Sequence, residues 1–241
     1  MNNARFSFCP AFAAAIRPTF VVATALLTSA CSSLKPPDWQ VEAKGSMERS
    51  TAAYLEGYSR VEAAELQRAR SQLSSTGRPD LLATAELLHC ATRVASLVFE
   101  PCAGFEPLRR DANPAQRAYA DYLRGQLQVP AIALLPQAQR GAAAGDANAL
   151  AGIADPLSLL VAAGVLLQTG KASPAVVVRA IDTASSQGWR RPLLAWLGVQ
   201  AERAEQAGDV EEAGRLRRRI AITQTPQRVS SEGKAPVKEN R

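Results

Sequence analysis

The chain has 241 residues, of which 47% are hydrophobic, mostly alanine and leucine, and only 5% are aromatic. This composition favours helices and argues against a fold built mainly from sheets. The formal net charge of +6 is unevenly placed: residues 215–241 carry +6, residues 31–214 carry −2 and residues 1–30 carry +2. The body of the chain is therefore near neutral, and its C-terminal end is basic.

The first residues have the pattern of an export signal. Arg5 and Arg17 precede the apolar run 20–27, and the small residues Thr28-Ser29-Ala30 and then Cys31 follow it. A basic segment, a short apolar segment and small residues before a cleavage point are typical of a secretory signal. The uncharged stretch 18–34 has 17 residues, fewer than the about 20 of a transmembrane helix. A retained anchor and an ordinary signal cut after Ala30 remain as alternatives.

The four residues that end in Cys31 resemble the lipobox of bacterial lipoproteins, in which small or aliphatic residues precede Ala or Gly and then Cys. The resemblance implies that residues 1–30 are removed and that Cys31 carries a diacylglycerol and an N-linked acyl chain such as palmitate. Ser32 rather than Asp follows the cysteine, which resembles the outer-membrane choice of enterobacterial lipoproteins. The implied location is the periplasmic face of the outer membrane, where the protein meets no nucleic acid.

Residues 31–45 are expected to form a membrane-proximal tether, because Lys35-Pro36-Pro37-Asp38 opposes helix formation and the segment shows no periodicity. Residues 46–222 are predicted to form a helical domain, since apolar residues recur there at three- and four-residue spacing. Its predicted helices cover about 47–73, 79–98, 114 onward, 157–168, 173–187, 191–206 and 209–222. Residues 223–241 are predicted to form a disordered basic tail. No alternating strand pattern occurs, so the predicted class is all-α.

Cys90 and Cys102 remain once Cys9 and Cys31 are assigned to the signal and the lipid. An even number of cysteines in an oxidising compartment predicts a disulfide. If the helix predicted over 79–98 ends near residue 98, its C-terminal end lies about 12 Å from Cys90 along the helix axis. The four residues from there to Cys102 can span about 13 Å, which is enough to bring Cys102 back to Cys90. The bond is therefore feasible. It would hold the loop at 100–107 and contribute about 3 kcal/mol to the free energy of unfolding.

A faint repeat occurs near the C-terminus. Gly170 and Gly208, 38 residues apart, are each followed five residues later by alanine, which resembles the turn of a tetratricopeptide repeat over residues 157–222. The repeat length in that family is about 34 residues. The family also has large apolar side chains at the positions where this chain has Arg179 and Arg217. Both a short α-solenoid of helical hairpins and an irregular helical bundle fit the pattern.

Catalytic and metal-binding patterns are weak. His89, the only histidine, adjoins Cys90, but adjacent helical residues point about 100° apart and cannot form a nucleophile–base pair. A zinc site from His89, Cys90 and Cys102 would have three ligands at an unfavourable spacing. The Glu-Ser and Gly-Leu-Met-Gln segments of lytic transglycosylases do not occur. The sequence therefore predicts a non-enzymatic protein without metal or cofactor.

Two functional hypotheses follow from these observations. The first is an outer-membrane lipoprotein that acts as a helical scaffold or adaptor for an envelope protein partner. The alternative is a binder of anionic envelope ligands, lipid or glycan polymer, through the basic segment Arg215, Arg217, Arg218 and Arg219. The same arginines could instead complement the C-terminal end of a helix dipole.

Overall fold

The computed structural model describes residues 35–224. The signal segment, Cys31 and the tail beyond residue 224 lie outside the described residues. Within them all regular structure is helical, which confirms the predicted all-α class. The nine α-helices of this region are α1 (Asp38–Glu56), α2 (Ser59–Ser74), α3 (Pro79–Ala95), α4 (Pro114–Leu123), α5 (Gln137–Ala143), α6 (Pro156–Gln168), α7 (Pro174–Ser186), α8 (Arg190–Gln206) and α9 (Val210–Gln224).

Three short 3-10 helices lie in the connections, at Glu106–Leu108, Val129–Leu134 and Ala147–Gly152. In the described region no helix is both long enough and apolar enough to cross a membrane.

The tether prediction is wrong for residues 38–45, because α1 already begins at Asp38. The two prolines lie before the helix, where they remove no intrahelical hydrogen bond, and Asp38 provides an acidic first turn. Trp39, Ala43 and Met47, spaced four residues apart, pack against α2 and α3. Burial of this stripe supplies the stabilisation that propensity alone does not.

The helix predicted over 47–73 is two helices. Gly57 ends α1 with φ 94°, and its N–H donates to the carbonyls of Ala53 and Tyr54. α2 begins at Ser59 and packs against α1. A left-handed residue at the end of a helix favours glycine because a Cβ is disfavoured there. The break in the predicted helix therefore lies at Gly57 and Tyr58, before α2.

α3 ends at Ala95, three residues earlier than predicted, because Leu97 adopts φ 61°. The Val98 N–H donates to the Arg93 carbonyl at 2.9 Å, which closes the end of the helix. Leucine in the left-handed region costs about 1–2 kcal/mol relative to a right-handed conformation. Leu97 packs against the main core, and this burial offsets part of the cost.

Local capping signals place the later helices. Asn113, Asp155 and Ser173 are the N-caps of α4, α6 and α7, and each is followed by proline at the first helical position. The Asn113 side chain accepts from the Gln116 N–H, while the Gln116 side chain accepts from the Asn113 N–H, which completes a capping box. These starts agree with the sequence prediction because capping depends on neighbouring residues only.

The core is organised around α6. All eight residues 159–166 are buried, and α6 packs against α3, α5 and α7. Trp196 of α8 is fully buried, and its indole N–H donates to the Ala95 carbonyl at 3.1 Å. This bond joins α8 to the end of α3, whereas α1 and α2 pack on α3 around a second, smaller apolar cluster.

Helices α6 to α9 form consecutive pairs, each packed against its neighbour. The turns α6–α7 and α8–α9 contain Gly170 and Gly208 at φ 70° and 73°. Arg179 is exposed, and Arg217 on α9 pairs with Glu205 on α8 at 2.6 Å. An ion pair therefore joins these helices at a position where the repeat family has an apolar contact. The resemblance to tetratricopeptide repeats remains a prediction.

Candidate functional site

An apolar cavity of about 300 Å³ opens between the start of α1 and the outer face of α3. Trp39, Ala43 and Met47 form one wall, and Leu81 and Leu88 of α3 form the other. Leu81 and Leu88 are only partly buried. Trp39 therefore packs on the domain and at the same time lines an opening.

A second cavity of about 590 Å³ lies between α3, α4 and the end of the Val129–Leu134 3-10 helix. It is lined by Leu87 and Leu88 of α3, by Tyr119 of α4, by Leu134 of the 3-10 helix and by the following Leu135. Thr84 and Leu88 belong to the lining of both cavities. The two cavities therefore border each other along α3, and together we call them the α3 groove.

The α3 groove exists because α3 is apolar on more than one face. Leu87, Ala91 and Val94 are buried in the main core, whereas Leu81 and Leu88 lie outside it. On the side of the second cavity, α4 and the Val129–Leu134 3-10 helix flank α3, and Leu134 of this 3-10 helix is 44% exposed. This groove was not predicted from the sequence. The available signal was Leu81 and Leu88, apolar residues that α3 carries in addition to those of its core face.

The polar edge of α3, formed by Glu86, His89 and Arg93, is joined to α2 by a charged pair. Arg70 donates to both oxygens of the buried Glu86 carboxylate at 2.5 and 2.7 Å. This hydrogen bonding raises the pKa of Arg70. A bidentate arginine–carboxylate pair fixes the relative orientation of its two side chains in addition to stabilising them. The pair therefore constrains how α2 packs against α3.

His89 lies on the same edge and is partly buried. Its Nδ1 is 3.5 Å from Oε1 of Glu62. Burial lowers the pKa of His89 below the ordinary 6.5, with Arg93 acting in the same direction and Glu62 opposing it. The imidazole is therefore mainly neutral at pH 7 and serves as a boundary residue between α2 and α3.

The structure joins Cys90 and Cys102 in a disulfide, with their Cα atoms 5.6 Å apart. Both cysteines are buried. The bond brings the loop after α3 back against the polar edge, where Gly104 lies directly on the Glu86 carboxylate. Sulfurs held in a disulfide are not available as thiolate ligands for zinc. In residues 35–224 no group of three potential metal-ligating side chains occurs.

The basic segment of α9 is partly neutralised. Arg215 pairs with Glu212 at 2.5 Å, and Arg217 pairs with Glu205. Arg218 is exposed on the same helix, and Arg219 is partly exposed. Two of the four predicted ligand-binding arginines thus already have carboxylate partners, which weakens the segment as an anion site.

Comparison with known proteins identifies no relative. No family model matches the chain, and none of the curated proteins or solved structures is significantly similar to it. The function has to be inferred from the geometry of the α3 groove and from the sequence signals.

Proposed function

We propose that the protein is a non-enzymatic outer-membrane lipoprotein that acts as a helical scaffold for an envelope protein. The observation that carries the proposal is the α3 groove, two adjoining apolar cavities that share Thr84 and Leu88 and are lined by the partly exposed side chains of Leu81 and Leu88. Exposed apolar surface of this kind is typical of sites that bind another protein. The lipid on Cys31 would fix the location, and the groove would bind the partner.

The lining of the groove defines the partner's chemistry. Its floor is apolar, and its rim includes the uncharged Gln40, Asn113 and Gln116. Of the two rim cations, Arg78 is paired with Asp80 at 2.8 Å, whereas Lys44 has only a loose contact of 3.8 Å with Glu48. The fitting occupant is an amphipathic segment with large apolar side chains on one face and an acidic residue that reaches Lys44.

The short distance along the chain from Cys31 to α1 supports this arrangement. α1 begins seven residues after Cys31, and seven residues span at most about 25 Å. Because Trp39 lies at the start of α1, a lipidated Cys31 would keep the groove close to the membrane surface. Partners in or near the envelope membrane would then meet it at high effective concentration.

The anchor is tested by mass spectrometry of the protein purified from membranes of a lipoprotein-processing bacterium. We expect an N-terminal peptide that begins at Cys31 and carries three acyl chains. A Cys31→Ala variant should lose the acyl chains and leave the membrane fraction. A peptide that begins elsewhere, or an unmodified Cys31, contradicts the proposed anchor.

The groove is tested by site-specific photo-cross-linking in cells. Thr84 is exposed and lies where the two cavities meet, so a benzoylphenylalanine there faces the proposed partner. The same residue at Val178, exposed on α7 and outside the groove, is the control. We expect a defined protein adduct from position 84 only. Adducts with lipid or glycan alone, or equal adducts from both positions, contradict the scaffold.

A further inference from the structure

Tyr119 of α4 lines the second cavity of the α3 groove, and within residues 35–224 its hydroxyl has no hydrogen-bond partner. The residue is partly buried, and its oxygen is not one of the fully enclosed polar atoms of this region that lack a partner. The hydroxyl is therefore accessible to a group from outside the chain. Burial raises the pKa of Tyr119, so the hydroxyl keeps its proton at neutral pH and is able to donate it.

The neighbouring Tyr122 shows how a buried hydroxyl is satisfied in this fold. Its ring stacks on that of Tyr119, with the two centroids 6.0 Å apart. The Tyr122 hydroxyl donates to Oε1 of Gln139 at 2.7 Å, and the amide nitrogen of Gln139 donates to the Ser158 carbonyl at 3.0 Å. Buried tyrosine hydroxyls usually find a partner of this kind. In the described chain Tyr119 is left without one.

The other polar side chains of the cavity wall bond to each other and to the backbone. Nε2 of Gln116 donates to the Asp80 carbonyl at 2.8 Å and to Oγ1 of Thr84 at 2.9 Å. Oε1 of Gln116 accepts from the Asn113 N–H, and Oγ1 of Thr84 donates to the Asp80 carbonyl. These bonds join α4 to α3 and leave Tyr119 as the unpaired hydroxyl of the described lining.

We propose that the Tyr119 hydroxyl donates a hydrogen bond to an uncharged oxygen of the partner segment that binds in the α3 groove. The inference rests on the proposed function and specifies the partner's chemistry at the second cavity. A segment with an acceptor at this point satisfies the hydroxyl, whereas a segment without one leaves it unpaired in the complex. Tyr119 would therefore discriminate among segments of equal hydrophobicity.

The surroundings of Tyr119 favour an uncharged acceptor over a carboxylate. The described lining of the second cavity contains no lysine or arginine. It consists largely of leucine, at Leu87, Leu88, Leu134 and Leu135. Transfer of a carboxylate into such a site is costly. In addition, the charge of Asp155 contributes to the raised pKa of Tyr119, and the same charge repels a second carboxylate.

The two cavities therefore accept different ends of the segment. Lys44 at the rim of the first cavity favours an acidic residue, and Tyr119 in the second cavity favours an uncharged acceptor. Thr84 and Leu88 line both cavities, so one segment can lie across them. The segment would then have a direction along α3, with its acidic end beside the start of α1.

The hydrogen bond is tested in cells with the photoreactive benzoylphenylalanine at position 84. Tyr119→Phe in the same chain should lower the yield of the protein adduct about tenfold, because a buried acceptor loses its donor. Tyr58→Phe is the matched control, since Tyr58 is 55% exposed and lies outside the groove. Equal yields from the two variants overturn the inference and leave the scaffold intact. No protein adduct from position 84 without either substitution contradicts the scaffold itself and the inference with it.

A stability measurement separates lost binding from lost folding. Tyr119→Phe should keep the urea midpoint of the unmodified protein, because its hydroxyl has no bond to lose within the described chain. Tyr122→Phe removes the bond to Gln139 and should lower the midpoint. An equal decrease in both variants would show that the Tyr119 hydroxyl is bonded within the folded chain, which overturns the inference.

The direction of the segment is tested by moving the photoreactive residue. Gln40 is exposed at the rim of the first cavity, and Leu134 lines the second. Mass spectrometry of the adducts from positions 40 and 134 should identify two ends of one segment, with the acidic residue at the end captured from position 40. Capture of the acidic end from position 134 would overturn both the direction and the uncharged acceptor.

Discussion

Gly104 illustrates how one residue can control a charged pair. A Cβ added there would overlap the Glu86 carboxylate, which Arg70 holds in a bidentate pair. Gly104→Ala must therefore lift the disulfide loop or displace a buried carboxylate. We expect a loss of about 1–3 kcal/mol in the free energy of unfolding, measured by urea denaturation.

Gly152→Ala provides the control for that substitution. Gly152 also lies outside the α-helices, and an added Cβ there meets no atom within 4 Å. Its variant should be close to wild type in stability. Equal stability of the two variants would show that the close contact between Gly104 and Glu86 does not constrain the fold.

His89 should make stability depend on pH. Burial lowers its pKa below 6.5 in the folded protein, so the unfolded chain binds more protons in the interval just below that value. The free energy of unfolding should therefore be fully retained above about pH 6.5 and fall as the pH decreases through this interval. The decrease in the free energy of unfolding should be smaller in the His89→Gln variant, because the glutamine side chain is not protonated in this pH range.

The measurement is chemical denaturation of both proteins between about pH 7.5 and pH 5, where the carboxylates remain mostly ionised. His89 is the only histidine in the chain, so the difference between the two profiles reports this residue. Parallel profiles would contradict the buried, neutral state assigned to its imidazole.

Some of these residue contacts could be predicted and others could not. The Cys90–Cys102 pairing follows from chain reach, because the two residues are close in sequence. The Arg70–Glu86 pair and the contact of Gly104 with it depend on how α2, α3 and the loop pack together. Sequence spacing carries no information about such contacts between elements.

At the scale of elements, α3 and α6 cross in close contact. Gly164 is buried within α6, and an added Cβ would lie 2.5 Å from the Val94 carbonyl oxygen of α3. Backbone atoms cannot move aside as a flexible side chain can. Gly164→Ala should therefore force the two helices apart and destabilise the protein by about 1–3 kcal/mol or more.

Gly198 is the matched helical control for Gly164. It lies inside α8 with no atom within 4 Å of an added Cβ. Gly198→Ala should stabilise the protein by about 0.5–1 kcal/mol, because alanine is the better helix former. Thermal denaturation measures both effects. A Gly164→Ala variant as stable as Gly198→Ala would contradict the close packing of α3 on α6.

Helix starts show which information is local. Asn113-Pro114, Asp155-Pro156 and Ser173-Pro174 stand at the starts of α4, α6 and α7, and such starts can be predicted because an N-cap depends only on its own turn. The start of α1 was missed because Lys35-Pro36-Pro37 suggested a tether. Only the packing of Trp39 and Met47 against α2 and α3 makes residues 38–45 helical.

At the scale of the whole molecule, the α3 groove could not be derived from the sequence. It forms because α1, α4 and the Val129–Leu134 3-10 helix flank α3 without closing over it. The apolar residues on both faces of α3 can be read from the sequence, but their spacing is equally consistent with burial. The all-α class was predictable because composition and periodicity are properties of the chain itself.

The most direct test of the scaffold proposal combines the photoreactive residue at position 84 with a substitution in the groove. Leu134 lines the groove and is 44% exposed, so Leu134→Glu places a charge there with little effect on the core. Val129, 78% exposed on the same 3-10 helix and outside the groove, provides the control Val129→Glu. We predict that Leu134→Glu abolishes the protein adduct in cells and that Val129→Glu leaves it unchanged. An adduct of equal yield in both variants would contradict binding of an apolar partner segment in the α3 groove.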